Sequence, residues 1–335
     1  MEIKQHISLK PFNTFGIVVN ATQFVEVNQV NQLKEILQQN KLPLLMLGGG
    51  SNVLFTQDFN GLVIKNNIKG IEIVSENNQE IVLKVCAGEN WHDFVLNCVS
   101  KNYAGLENLS LIPGTVGASP MQNIGAYGVE VKDMIISVEA LNKSTLQLES
   151  FTNIACEFDY RSSIFKTSLK DKYFIISVTF CLSKKPSINS SYGAINEALE
   201  NMGVVNPTIQ DISRAVINIR SSKLPNPKEI GNGGSFFKNP VVSFTKKNAL
   251  LEKYPSMPHY LQNDGTFKIA AGWLIEICGW KGKRIANYGV HVHQALVLVN
   301  YGGASGSDIF NLSEDIIHSV YQTFGIKLER EVNII

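Results

Sequence analysis

Two stretches of small residues constrain this chain more than anything else in it. Gly48-Gly49-Gly50-Ser51-Asn52 follows an apolar run, and PGTVGASPMQNIGAYG, residues 113–128, is too broken by glycine and proline to be a helix. Long runs without secondary structure are uncommon in compact domains and are often functional. Neither stretch carries a familiar nucleotide fingerprint. A Walker loop ends in Gly-Lys-Ser/Thr, where this chain has Ser51-Asn52. A dinucleotide fingerprint needs a glycine at the position of Val53, and the LFTQDFNG that follows has no helical spacing.

Main-chain N–H groups in glycine-rich turns can nevertheless cradle phosphates. As a pair, the two loops fit a long cofactor with a pyrophosphate and a flat ring. A flavin dinucleotide lying across a non-Rossmann α+β domain meets that description. The bland alternatives are a tight strand-to-strand turn and a plain irregular loop.

Periodicity supplies the frame around these loops. Val30, Leu33, Ile36 and Leu37 fall on one helical stripe, with Pro43 beyond its end. LPLLML and GLVIKN read as strands, and GIEIVSENNQEIVLKVCAG alternates on both sides of a polar turn, as a β-hairpin does. Trp91, Phe94, Val95, Cys98 and Val99 return to helical spacing, and KYFIISVTFCL is a further strand. The polar SKKPSINSS after it marks a domain boundary. Beyond it, Ile209, Ile212, Val216 and Ile219 recur at helical intervals, QALVLVN is a strand, and residues 308–324 form an amphipathic helix. This mixture is α+β rather than doubly wound.

At 335 residues the chain exceeds one ordinary core and calls for two or three domains. Its 30 basic and 29 acidic side chains nearly cancel, which argues against nucleic acid or an anionic membrane as partner. The amino-terminal MEIKQHISLKPFNTFGI lacks the apolar run of a signal peptide, so a cytoplasmic location is expected. Cys86, Cys98, Cys156, Cys181 and Cys278 form no CxxC pair, which fits buried thiols in a reducing compartment rather than a zinc site or disulfide framework. His291 and His293 alternate without a third ligand signal, and no metal is expected.

GNGGSFFKNP, residues 231–240, places one serine between glycines and two phenylalanines. A turn serine is the bland reading. The neighbouring IRSSKLPNPKEI adds Arg220 and Lys223 to Ser235 and Asn239, a cluster that suits an anionic substrate. Tyr160-Arg161 sets a fixed cation in the flavin-binding half, and Tyr260 and Lys268 add an aromatic ring and a charge. Glu329 and Glu331, alone, would be solvated carboxylates.

As a set, the segments resemble one family, the UDP-N-acetylenolpyruvoylglucosamine reductases of bacterial cell-wall synthesis (the MurB family). The matching pieces are NTFGI, LGGGSNVLF, GLENLSLIPGTVG, QNIGAYGVEV, YRSSIFK, KLPNPKEIGNGGSFFKNP, AAGWLIE, HQALVLVN and LEREV, in family order from Asn13 to Val332. Tyr192, in SSYGAI, resembles the substrate-loop tyrosine of the type I branch.

The resemblance implies an FAD domain of the vanillyl-alcohol-oxidase (PCMH) type over residues 1–185, in two subdomains of about 1–65 and 66–185. An α+β substrate-binding domain over 186–325 and a tail at 326–335 returning to the active site complete it. The implied reaction is reduction of UDP-N-acetyl-enolpyruvoylglucosamine by NADPH through FAD, with a monomer as the expected state. Ser235 is then the general acid, with Arg161 and Glu329 on the carboxylate. FAD contacts are implied for Gly48, Gly49, Gly50, Ser51, Asn52 and Val53, and for Pro113, Gly114, Gly117, Ala118, Ser119, Asn123, Gly125 and Ala126. Substrate contacts are implied for Tyr160, Tyr192, Arg220, Lys223, Asn239, Tyr260, Lys268 and Gln294. One departure is Asn333, where the family often carries arginine shortly after the last glutamate motif.

Two other functions compete. A flavin oxidase or dehydrogenase of the same superfamily would need a base where Ser235 offers a proton donor. A non-catalytic flavoprotein that binds a nucleotide sugar would not turn over at all.

Overall fold

The computed structural model describes residues 2–335, and the periodic segments named above are elements in it. Strands β1 (Lys4–Ser8) and β2 (Asn20–Val27), helix α1 (Val30–Gln39) and strand β3 (Leu44–Leu47) lead into the three glycines. Strands β4 (Val53–Leu54) and β5 (Phe59–Asn66) follow, then the hairpin of β6 (Ile71–Glu76) and β7 (Glu80–Cys86), and helix α2 (Trp91–Ser100). The second small-residue stretch stays irregular, with a two-residue hairpin of β8 (Gly125–Ala126) and β9 (Val129–Glu130). Strands β10 (Ile135–Asn142), β11 (Leu148–Thr152) and β12 (Tyr173–Ser183) precede helices α3 (Gly193–Asn201) and α4 (Ile209–Lys223).

The later part opens with β13 (Gly231–Ser235), β14 (Val241–Val242) and α5 (Phe244–Lys253). Strands β15 (His259–Leu261) and β16 (Phe267–Ile269) precede helix α6 (Ala271–Ile277). Strands β17 (Arg284–Ile285), β18 (Tyr288–Val290) and β19 (Val297–Asn300), helix α7 (Gly306–Phe324) and strand β20 (Asn333–Ile334) end the chain.

These elements form two packing units. The first takes in the residues up to Ile7, with 21–49 and 60–222; the second takes in 8–20, 50–59 and 223–335. In the first, a four-stranded sheet in the order β1-β2-β5-β3 accompanies a five-stranded antiparallel sheet in the order β11-β10-β12-β7-β6. Strand β12 is buried on both faces and serves two cores, and a bulge at Ile176, where the pairing to β10 jumps from Ser177 to Ile175, switches which parity faces which core. Phe174 and Ile176 pack with Leu33 and Ile36 of α1, whereas Ile175, Val178 and Phe180 pack with Trp91 and Phe94 of α2. Helices α3 and α4 close a third cluster through Ile195, Leu199, Ile212 and Val216.

The glycines of the first loop serve close approach rather than open space. A Cβ on Gly48 would lie 2.7 Å from Thr115 Oγ1, and one on Gly49 would lie 2.7 Å from Gly114 Cα. Main chain therefore rests on main chain where the two small-residue stretches meet. The Lys65 ammonium donates to the Gly48 carbonyl and ties the loop to β5, and burial pushes its pKa down.

In the second unit, β13-β19-β18-β17 form one antiparallel sheet and β14-β16-β15 another. Strand β20 runs parallel to β4, with Asn333 opposite Val53 and Ile334 opposite Leu54. The long α7 begins on a capping box between Ser305 and Asp308 and ends at Gly325 in the left-handed conformation (φ 60°).

Gly49→Ala forces a methyl group onto the Gly114 backbone, which has no rotamer to yield. We expect a loss of about 1–3 kcal/mol in denaturant unfolding of the purified protein. Gly193→Ala, at the start of α3 with nothing within 4 Å of the added carbon, should leave stability level or slightly raised.

Candidate active site

The candidate residues of the first unit gather around two arginines. Arg161 occupies a tight turn closed by reciprocal main-chain bonds between Asp159 and Ser162 (3.2 and 3.1 Å), and its own φ is +53°. A left-handed non-glycine residue is strained and persists where its surroundings hold it. Here the guanidinium Nη2 donates to the Gly125 carbonyl at 2.7 Å and lies over the Tyr160 ring, 5.4 Å from its centre. The fit is close at Gly125, where a Cβ would come 3.0 Å from the Val129 carbonyl and 3.2 Å from Arg161 Nη1.

Arg220, on α4, is held by a main-chain acceptor, its Nε donating to the Leu111 carbonyl at 3.2 Å. The phenol of Tyr127 is its electrostatic neighbour. Burial lowers its pKa, and the positive charge of Arg161 pushes the same way. Two cations close enough to repel favour an anion between them. The Tyr192 ring stands edge-on to Tyr127, with centres 5.3 Å apart and planes at 86°. Thus Tyr160, Arg161, Tyr192 and Arg220 share one region, together with a residue the sequence reading missed, Tyr127.

Within the small-residue stretch, several side chains already serve the protein. Ser119 is buried and donates to the Val116 carbonyl at 2.7 Å. Asn123, fully buried with φ +46°, donates to Glu130 and to the Asp159 carbonyl and accepts from the Lys132 amide. Gly117 packs on Ala87, whose carbonyl receives its amide at 2.9 Å. The Ser119 hydroxyl proton and the Asn123 side-chain amide are thus already committed within the protein. The stretch offers main-chain groups with little side-chain bulk, a donor set that fits the pyrophosphate of a flavin dinucleotide. Ala118 and Ala126 extend that surface, and Pro113 fixes the chain ahead of Gly114.

In the second unit Ser235 ends a strand, where the bland reading of its glycines is a turn. Strand β13 pairs with β19 through Gly231–Asn300, Asn232–Val299 and Ser235–Val297, so Gly233 and Gly234 carry one extra residue. This bulge needs glycine at Gly234 (φ +71°), and a Cβ on Gly233 would strike the Phe15 ring at 2.6 Å. The next two residues, Phe236 and Phe237, are 0 % and 1 % exposed, whereas Ser235 itself is exposed. Phe236 meets Phe15 and Phe237 edge-on. A hydroxyl is thus presented from a rigid mount.

The tail runs beside that mount. The Lys238 amide donates to the Glu329 carbonyl at 2.9 Å, and the Glu331 amide to Phe236 at 2.8 Å. The Glu329 carboxylate, 75 % exposed, pairs with Lys238 Nζ at 3.2 Å, a partner the sequence reading did not name. On its other side the tail holds the Ser51–Val53 segment. Asn52 accepts from the Asn333 amide (3.1 Å) and side chain (2.9 Å), and its own side chain donates to the Glu331 carbonyl at 3.3 Å. Asn333, the departure from the family pattern, is therefore a main-chain and side-chain clamp on Asn52. Tyr260 and Lys268 lie directly opposite each other across β15 and β16. Asn239 accepts the Ala271 amide at the start of α6, and Gln294 accepts the Leu296 amide. Lys223 is exposed at the last position of α4.

The thiols take no part in this geometry. Burial pushes Cys98 and Cys156 up to about 12, which keeps both protonated, while Cys86, Cys181 and Cys278 are only half-buried.

Comparison with known proteins now decides the family. A model of the UDP-N-acetylenolpyruvoylglucosamine reductase C-terminal domain matches residues 226–335, and one of an FAD binding domain matches 21–147. The UDP-N-acetylenolpyruvoylglucosamine reductase of Flavobacterium johnsoniae is 50% identical over the full length of both chains, and that of Amoebophilus asiaticus is 51% identical over the same extent. This chain belongs to the UDP-N-acetylenolpyruvoylglucosamine reductase family. The crystal structure of the Thermus caldophilus reductase superposes with a TM-score of 0.71 at 21% identity, covering 100% of this chain and 99% of that one. A 4-ethylphenol oxidase from Gulosibacter chungangensis shares the fold at a TM-score of 0.51 and 9% identity, over 98% of this chain and 84% of its own. The α+β fold of the vanillyl-alcohol-oxidase type, with its FAD domain and family-specific C-terminal domain, is thus that of this family. Among the described residues no helix is long and apolar enough to cross a membrane.

His92 gives this site a pH dependence. Its Nδ1 accepts the Leu111 amide at 3.0 Å, on the residue whose carbonyl holds Arg220. Burial lowers its pKa below the ordinary 6.5, the nearby Asp93 opposes this, and Arg220 reinforces it. The unfolded chain therefore takes up the proton first. The stability from neutral His92 is complete above 6.5 and is lost as pH falls toward its lower folded value. Denaturant unfolding between pH 8 and pH 5 should show a shallower decline for His92→Gln than for the wild type.

Proposed function

We propose that this protein reduces UDP-N-acetyl-enolpyruvoylglucosamine to UDP-N-acetylmuramate with NADPH, a step that supplies peptidoglycan precursors. The observation that carries this reading is the full-length, half-identical match to curated reductases. When bound, FAD supplies the hydride carrier, taking hydride from NADPH and passing it to the terminal carbon of the substrate's vinyl group. Gly48 to Val53, with Pro113, Gly114, Gly117, Ala118, Ser119, Asn123, Gly125 and Ala126, would hold it, chiefly through main chain.

The chain's own residues handle the charge and the proton. As hydride adds to the terminal carbon, negative charge grows on the neighbouring carbon and its carboxylate. Arg161 is aimed at that charge from a strained, pre-set turn, so little reorganisation accompanies the reaction. Glu329, kept beside Lys238, is the second group assigned to the carboxylate end. Ser235 gives its proton to the charged carbon on one face. A serine hydroxyl is a weak acid in water, but the acceptor is a strongly basic enolate carbon, and the Phe236–Phe237 mount fixes the approach. Tyr160, Tyr192, Arg220, Lys223, Asn239, Tyr260, Lys268 and Gln294 are assigned to the UDP-sugar. The flavin-binding role is assigned to residues 1–185, substrate binding to 186–325 and the returning tail to 326–335, in a cytoplasmic monomer.

The test separates the two half-reactions. In stopped-flow, anaerobic NADPH should bleach the flavin of Ser235→Ala at near the wild-type rate, because no carbon needs a proton at that stage. Reoxidation by the enolpyruvyl substrate should slow by about 10²–10⁴-fold, the usual loss on removing a positioned general acid. Equal slowing of both halves would make Ser235 structural.

A further inference from the structure

The tail that carries Glu329 has an inward and an outward row. Ile326, Leu328 and Val332 are buried, whereas Lys327, Glu329 and Asn333 are exposed. Successive side chains of an extended segment point to opposite sides, so Arg330 belongs to the inward row and Glu329 to the outward one. A charged residue in an otherwise apolar row calls for a reason, and the functional assignments give Arg330 none.

Three contacts with α7 hold it. Its Nε donates to Ser313 Oγ at 2.8 Å, its Nη2 pairs with the Glu314 carboxylate, and its guanidinium carbon lies 4.6 Å from the centre of the Phe310 ring. Ser313 is fully buried and gives its own proton to the Phe310 carbonyl at 2.6 Å, so its oxygen faces Arg330 as an acceptor. On the main chain, Arg330 forms an isolated bridge with Phe237, one residue before Lys238.

Glu329 needs an anchor of this kind. Its carboxylate is mostly exposed, and a surface pair such as that with Lys238 contributes little to holding a side chain in place. The apolar residues of the inward row decide which side of the tail faces α7, but not where along it. A slide of two residues again turns apolar side chains inward, and it carries Glu329 about 6.5 Å away. The guanidinium removes that ambiguity, because Ser313, Glu314 and Phe310 together mark its place.

We propose that Arg330 is a positioning residue for this reaction, locking the register of the tail so that Glu329 stands at the carboxylate end of the substrate. The proposal rests on the assignment of Glu329 to that end. Arg330 faces α7, acts through Glu329 and does not touch substrate.

Stopped-flow on the FAD-loaded full chain tests it. Arg330→Met keeps a long stem and removes the guanidinium. NADPH should bleach its flavin within twofold of the wild-type rate, since Glu329 has no part in that half-reaction. Reoxidation by the enolpyruvyl UDP-sugar should slow by about 10–100-fold, the scale of an ångström's misplacement near reacting atoms. Arg330→Lys, which keeps the charge for Glu314 but loses the planar fork, should fall between. In a Glu329→Gln background, Arg330→Met should add no further slowing. Unchanged reoxidation in Arg330→Met, equal slowing of both halves, or effects that multiply with Glu329→Gln overturn the positioning role. Should Arg330→Met not fold, Ser313→Ala carries the same test: reoxidation slowed about two- to tenfold with normal bleaching supports the proposal, and an unchanged rate overturns it. A silent Glu329→Gln strikes the assignment of Glu329 instead, and the role of Arg330 falls with it.

Discussion

The eight residues from Leu328 to Ile335 hold the second unit together through main-chain hydrogen bonds on both of their sides. On one side Lys238 and Glu331 exchange bonds with Glu329 and Phe236; on the other, Asn333 and Ile335 pair with Asn52 and Leu54. The mount of Ser235, the carboxylate of Glu329 and the Ser51–Val53 segment are thereby indexed to one short tail segment. Main-chain bonds of this kind specify position without depending on side-chain identity. A family can therefore vary residues such as Asn333 while keeping the register.

The glycines show the same economy in a different form. Gly49 on Gly114, Gly117 on Ala87, and Gly233 on Phe15 are each places where a side chain would collide with the protein itself. The small residues bring chain segments together, and the surface they leave is rich in main-chain groups. A phosphate site built this way needs neither a Walker lysine nor the three glycines of a dinucleotide fold. Gly234 differs from these, since its φ of +71° rather than crowding requires glycine.

Much of this was legible in the sequence because it is local. Helices α1, α2, α4 and α7 appear where apolar residues recur at helical spacing, and the β6–β7 hairpin where alternation flanks a polar turn. The mount of Ser235 was legible as two phenylalanines after a serine, although the strand beneath it was not, since glycines hide β-propensity. Tyr127, Lys238 and the tail's pairing with β4 were not legible. Each acts on a residue close in space and distant in sequence, or, for Lys238, through an ion pair 91 positions away. Their only trace was an aromatic ring inside a glycine stretch, a lysine in a common motif, and a polar ending. The side chains of Ser119 and Asn123 mislead in the opposite sense, because composition does not reveal that their hydrogen bonds are already made.

The pairing of β4 with β20 also sets an order of assembly. Asn52 and Asn333 are 281 positions apart. Closing such a loop costs about 2 kcal/mol more chain entropy than closing one of 20 residues. On the ribosome, at roughly 5–20 residues per second, β4 waits on the order of tens of seconds for its partner to be made. Until then its edge is open main chain. A segment made early is completed by one made 281 positions later, so a chain stalled between them leaves the glycine loop unfastened, however well the helices and sheets between have folded.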